Sequence, residues 1–313
     1  MLDPAPSVVR GPTDLLTTIP YVLGYHPQDS VVVVFVAGDG RLTCGLSIGQ
    51  QAPDEFIIAE SSTAAARADA HLACVVGYGP LSDRERIAGI SDALNMAVTV
   101  AACLLVNDGR YYCLNDGCPC TPEHGAVLDF SSSVIAAEMT LRGRVALPSR
   151  DGFASFVEPD PDAQARTAAA LSRVPQRLPD AVAVVHTCLD IASAGEQLSD
   201  EQAARLAMAL SDNDGRSAAW RATTGESWQH DLWLDLARRV PERYAAAPAN
   251  LAAWNAWRRS EPALAWAALS KAVQGEPDNT MSFLIGLVLT SGIDPATLPW
   301  PLRDGTDLEG LLP

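Results

Sequence analysis

Six consecutive apolar residues, Val31-Val-Val-Val-Phe-Val36, constrain this chain more than any other stretch. A run of that length with no polar break, opened by Pro27 and Asp29 and closed by Ala37-Gly-Asp-Gly40, fits a strand covered on both faces. Such a strand needs helices above and below it, which places it in an α/β layer. Asp39-Gly40 is a two-residue hairpin signal and predicts that Arg41 to Ser47 returns antiparallel. Upstream, Asp14 to Pro20 reads as a short helix that stops near the proline, after a mobile start over residues 1–12.

The next elements alternate. Pro53-Asp54 opens a helix through about Ala70, and His71 to Tyr78 is a third strand. Ser82-x-x-Glu85 reads as a capping box ahead of the stripe Ile87, Ile90, Leu94, Val98. Ala101 to Asn107 is a fourth strand, which Asp108-Gly109 turns into a fifth, Arg110 to Leu114. The expected fold is therefore α/β, with a mixed sheet of about five strands. Strands two, three and four, joined by crossover helices, run parallel, and the first and fifth run against them. The start of the first strand then shares an edge with the end of the third, and open α/β sheets bind ligands at such an edge.

Beyond the cluster near Cys118 the pattern is wholly helical. Predicted helices cover Ser132 to Arg142, Asp160 to Val174, Asp180 to Ala194 and, behind the capping box Ser199-x-x-Gln202, the stripe Ala203, Leu206, Leu210. Four more cover Ser227 to Val240, Asn250 to Arg259, Ser260 to Val273 and Thr280 to Thr290. All seven tryptophans lie in this half, which gives it an aromatic core of its own. The expected division is an α/β domain over 13–145 and an all-α domain over 146–313. Ala265, Leu269, Ala272 and Pro277 match part of a tetratricopeptide pattern, so tetratricopeptide-like helix pairs are expected there.

Composition narrows the function classes. A formal charge of −16, without any Lys/Arg run, argues against a nucleic-acid partner. The N-terminus lacks a basic stretch followed by an apolar one, and no segment is apolar for long enough to cross a bilayer. A cytoplasmic location follows as an expectation, with seven cysteines that suit buried thiols better than a disulfide framework.

Several stretches resemble the uncharacterised actinobacterial domain of unknown function 4192 family. They are Ile19-Pro-Tyr-Val-Leu-Gly-Tyr-His-Pro-Gln-Asp-Ser-Val-Val32, Cys113 to Gly125, Ala136-Ala-Glu138 with Gly143-Arg144 and Ser149-Arg150, Leu236-Ala-Arg-Arg-Val-Pro241, and Ala253-Trp254 through Ala265. The resemblance covers nearly the whole chain and implies an actinobacterial, cytosolic protein, with no chemistry attached. The chain departs from the family pattern at Cys118-Pro-Cys120, where the family has adjacent cysteines, and at Asn213-Asp-Gly-Arg216, where it has an Arg-Asp pair.

Three candidate sites emerge. His26, Asp29 and Ser30 combine a base, a carboxylate and a hydroxyl, enough to imagine a hydrolytic site; the plainer alternative is a turn in which Asp29 or Ser30 bonds backbone amides and His26 packs. Gly77, Tyr78, Gly79 and Ser82 put two glycines between a strand and a helix, an arrangement in which backbone amides face an anion. Cys113, Cys118, Cys120 and His124 are four ligand types suited to tetrahedral zinc, although Cys-x-Cys is not a standard knuckle spacing. Free thiols are the plainest reading of the cluster, with a disulfide and a metal as alternatives, so no cofactor is required. Asp212-x-Asp214-Gly215 is rejected as a calcium loop, because Leu210 and Arg221 stand at its ligand positions. The expected function is a non-catalytic regulatory or protein-interaction protein; the alternative is an enzyme or sensor taking a small anionic molecule at the edge formed by residues 26–30 and 77–82.

Overall fold

The computed structural model describes residues 11–38, 42–130, 137–139, 146–291 and 293–302. The first unit, Met1–Arg150, is built on a six-stranded sheet. Its strands are β1 (Ser30–Val36), β2 (Leu42–Gly49), β3 (Leu72–Tyr78), β4 (Thr99–Asn107), β5 (Arg110–Cys113) and β6 (Ala126–Val127), in the order β2-β1-β3-β4-β5-β6. β3 and β4 are parallel, and every other neighbouring pair is antiparallel. The expected directions hold, with two additions: a short sixth strand, and β1 in the sheet interior between β2 and β3.

That interior position explains the unbroken apolar run. Val31, Val33 and Phe35 pack with Ile57 of α2 (Asp54–Arg67) and with Ile87, Ile90 and Leu94 of α3 (Arg84–Leu94). The opposite face is covered by α1 (Pro12–Leu23): Val22 and Leu23 lie against Gly45 of β2, and the hydroxyls of Thr13 and Tyr111 are 3.1 Å apart. Both faces of β1 are dry, so alternation carries no advantage there.

Two local expectations are corrected, and one helix is added. α1 runs through Pro20 to Leu23, since one missing N–H is tolerated in a helix whose Leu15, Leu16, Ile19 and Leu23 are all buried. Ser82 does not form the capping box: Leu81–Asp83 is a 3₁₀ turn, and Ser82 Oγ reaches only the carboxylate of Asp83, at 3.5 Å. A further helix, Asn213–Ala222, occupies the stretch rejected as a calcium loop, with the Asp212 carboxylate accepting from Asp214 N–H at 2.9 Å as its cap. The Asp39-Gly40 turn and most of the helix expected over Ser132 to Arg142 lie outside the described residues, as do residues 1–10 of the expected mobile start.

The second unit, Asp151–Pro313, is helical. Its helices are α4 (Pro161–Leu171), α5 (Ala181–Ser193), α6 (Asp200–Leu210), α7 (Asn213–Ala222), α8 (Ser227–Arg239), α9 (Ala246–Arg258), α10 (Pro262–Gly275) and α11 (Thr280–Ser291). Asp160 and Asp180 cap α4 and α5, and the reciprocal Ser199/Gln202 box caps α6 at 3.2 and 2.8 Å. Trp233 and Trp254 are fully buried, and their indole N–H groups donate to the hydroxyl and carbonyl of Thr223, both at 3.1 Å.

Candidate functional site

The sheet edge comes first, because strand direction assembles it. Ser30 opens β1 directly opposite Tyr78 at the end of β3. Opposed residues in an antiparallel pair point to the same face, so both hydroxyls lie on the α1 side. Each is buried, and neither has a hydrogen-bond partner. Burial also drives the Tyr78 phenol well above its ordinary range.

The residues just before β1 are held by backbone. His26 N–H donates to the Leu147 carbonyl at 2.9 Å, Leu147 N–H donates to Gly24 at 2.8 Å, and the Asp29 carbonyl accepts from Gln50 N–H at 2.8 Å. Asp29 is exposed at φ +43°. The His26 ring meets the Phe130 ring edge-on at 5.4 Å, and burial lowers its pKa, which favours the neutral imidazole.

The glycines of this edge serve packing. A Cβ on Gly77 would stand 2.7 Å from Ile87 and 3.1 Å from Leu105, so its missing side chain lets α3 press onto the sheet. The space at Gly79 is filled by Gln50 and Asp83. Sequence reasoning missed the side chains that close the edge. Arg86 bonds Asp54 at 2.7 Å and the carbonyls of Gln50 and Ala52 at 2.8 and 2.9 Å, clamping α3 to the β2–α2 connection. Arg84 lies 4.5 Å over the Tyr112 ring, and one buried oxygen of Asp83 has no partner.

The thiol cluster lies elsewhere on the sheet. β5 runs back along β4, so Cys113 stands opposite Leu104, whereas Tyr78 stands opposite Val106. Two turns fold the β5–β6 connection. In the first, Cys118 N–H donates to the Asn115 carbonyl at 3.1 Å, and Gly117 supplies the positive φ of +65° that a side chain would resist. In the second, Gly125 N–H donates to Pro122 at 2.9 Å. Thr121 Oγ1 accepts from Cys113 N–H at 3.0 Å, and Asn115 Oδ1 accepts from Cys103 N–H at 2.7 Å, which ties the connection to β4.

This folding brings the sulfurs of Cys113, Cys118 and Cys120 within 4.8 Å of one another. His124, on the same connection, is exposed and is not a member of that group. The described cysteines carry no disulfide. A hydrogen bond with Cys120 holds the Cys118 thiol below its ordinary range, and the same contact pushes Cys120 up to about 12; burial raises Cys113. Each thiol loses its proton when it ligates a cation, so metal binding at this cluster depends on pH.

One family model, described as domain of unknown function (DUF4192), matches residues 12–296. No curated protein and no solved structure matches the chain.

Proposed function

This chain belongs to the domain of unknown function (DUF4192) family, and we propose that it is a non-catalytic regulatory or interaction protein that holds a thiophilic metal ion, zinc foremost, on Cys113, Cys118 and Cys120. The observation that carries this reading is the convergence of three sulfurs within 4.8 Å. Tetrahedral zinc with Zn–S bonds of about 2.3 Å sets its sulfurs about 3.8 Å apart, so the cluster needs only a small contraction to bind. A fourth position stays open, for His124 swung inward or for a side chain of a protein partner. The exposed Cys118 and Cys120 put that position at the surface, where metal loading and partner contact become linked. A reducing cytoplasm keeps the three thiols available. Protein contact is supported in the helical unit by the α9–α10 hairpin, read as tetratricopeptide-like, and by the apolar helix α11, the last among the described residues, whose Phe283 is 59% exposed.

Cobalt(II) substitution tests the metal site. The expected result is a thiolate-to-cobalt charge-transfer band that saturates at one ion per chain and disappears in Cys118→Ser and Cys120→Ser. A His124→Ala variant that keeps the thiolate band and changes only the ligand-field envelope identifies the histidine as the fourth ligand. Absence of a thiolate band in the reduced protein overturns the reading.

A second reading, a small-molecule site at the sheet edge, is favoured by one observation: the buried, unpartnered hydroxyls of Ser30 and Tyr78. It is tested below through Tyr78.

A further inference from the structure

The helical unit carries a cleft of about 320 Å³ between α7 and the residues that join α10 to α11. Its two walls differ in charge. On the α7 side stand Arg216 and Trp220. Arg216 donates to the Leu210 carbonyl at 3.3 Å and to Asn213 Oδ1. Both acceptors are neutral, so the guanidinium is fixed in place with no carboxylate paired to it among the described residues. The Trp220 indole N–H is buried and has no acceptor, although its ring is held by Trp254 and Trp300 at 5.5 and 5.6 Å. A buried donor left unmade is a cost to the fold, and the ring that carries it lines the cleft.

On the facing wall stand the carboxylates of Glu276 and Asp278 with the apolar groups of Met281 and Leu284, and the polar side chains of Ser217, Asn279 and Thr280 complete the lining. Glu276 accepts from Asn279, and Asp278 is exposed. A ligand that satisfies both walls carries an anion with free lone pairs at one end, a cation at the other, and an apolar body between them. The geometry points to a small zwitterion of the α-amino-acid class with an aliphatic side chain, its carboxylate on Arg216 beside the Trp220 ring and its ammonium on Glu276 and Asp278. The cleft volume accommodates a molecule of that size. This site lies in the second unit and is independent of the thiol cluster.

The test is an NMR titration of indole-¹⁵N-labelled full chain with three probes: L-leucine, L-leucinamide, which lacks the carboxylate, and N-acetyl-L-leucine, which lacks the cation. The Trp220 indole signal, assigned by its loss in Trp220→Phe, is expected to shift saturably with L-leucine. Each derivative is expected to bind about tenfold more weakly or worse, the loss of one charged hydrogen-bonded contact. In Asp278→Asn, a surface change that leaves the fold intact, discrimination against N-acetyl-L-leucine should shrink while discrimination against L-leucinamide persists. The inference is overturned if L-leucine gives no saturable shift at tens of millimolar, or if the three probes bind equally.

Discussion

Tyr78 is the residue at which the sheet carries an uncompensated cost. Its hydroxyl is buried beside β1 with nothing to bond, and a buried unmade hydroxyl is worth roughly 1 kcal/mol or more of lost stability. Tyr78→Phe is therefore expected to raise the unfolding free energy of the isolated protein by about 0.5–1 kcal/mol, read from denaturant midpoints at unchanged slope. A loss of stability instead would mean that the hydroxyl does find a partner, and would remove the observation behind the small-molecule reading of the edge. The sequence singled out Tyr78 and Ser30 as neighbours of a strand edge, because strand direction follows from the connections. It did not reveal that their hydroxyls are unpartnered, since that depends on which atoms α1 brings over them. The thiols are a similar case. Cys113, Cys118 and Cys120 were legible as ligand types, but the spacing alone left free thiols as the plainest reading. The information that gathers the sulfurs is the Asn115-Asp-Gly-Cys118 turn, in which Gly117 takes the positive φ. An Asn-Asp-Gly stretch is a turn signal in its own right and was available in the sequence.

At the scale of elements, the strands and most helices were readable because each carries a period and a stop. β1 announced two covered faces, and Asp160, Asp180 and Ser199 announced three helix starts that their side chains do cap. α7 was missed because Gly215 reads as a breaker. The structure gives it another role: a Cβ there would stand 2.3 Å from the Ala209 carbonyl oxygen and 3.1 Å from Ala181, so the glycine lets α7 begin directly against the end of α6. Propensity and packing then make opposite predictions. In an exposed helix Gly→Ala gains about 1 kcal/mol. Here the clash is with backbone, which cannot rotate away, and Gly215→Ala is expected to cost about 1–3 kcal/mol. Thermal unfolding of the variant decides it, and a Tm at or above the parent value would contradict the packing account. α1 taught the reverse lesson: Pro20 reads as a stop, yet burial on both sides of it carries the helix on to Leu23.

The whole molecule is two units, each with its own core, and its buried thiols make its stability sensitive to alkali. Burial pushes Cys74, Cys103 and Cys188 up to about 11, against an ordinary thiol value of 9.0. The native thiols thus keep their protons where unfolded ones release them. Their contribution is complete below pH 9 and is lost as pH rises towards 11, on the order of 1 kcal/mol per buried thiol per pH unit. Denaturation midpoints across that window should fall, and fall less steeply in Cys188→Ala; equal slopes in the two proteins would contradict the assignment. The two-part organisation was legible from the switch in periodicity and the tryptophan distribution, whereas the cleft beside Trp220 was not, because it joins residues about sixty positions apart in sequence. The most direct measurement of the central claim is native mass spectrometry, with elemental analysis, of full-length protein purified under reducing conditions without chelator. The account predicts one zinc per chain, lost in Cys118→Ser, with a lower Tm after chelation. A metal-free chain whose three cluster thiols react freely, and whose Tm ignores both zinc and chelator, would contradict it.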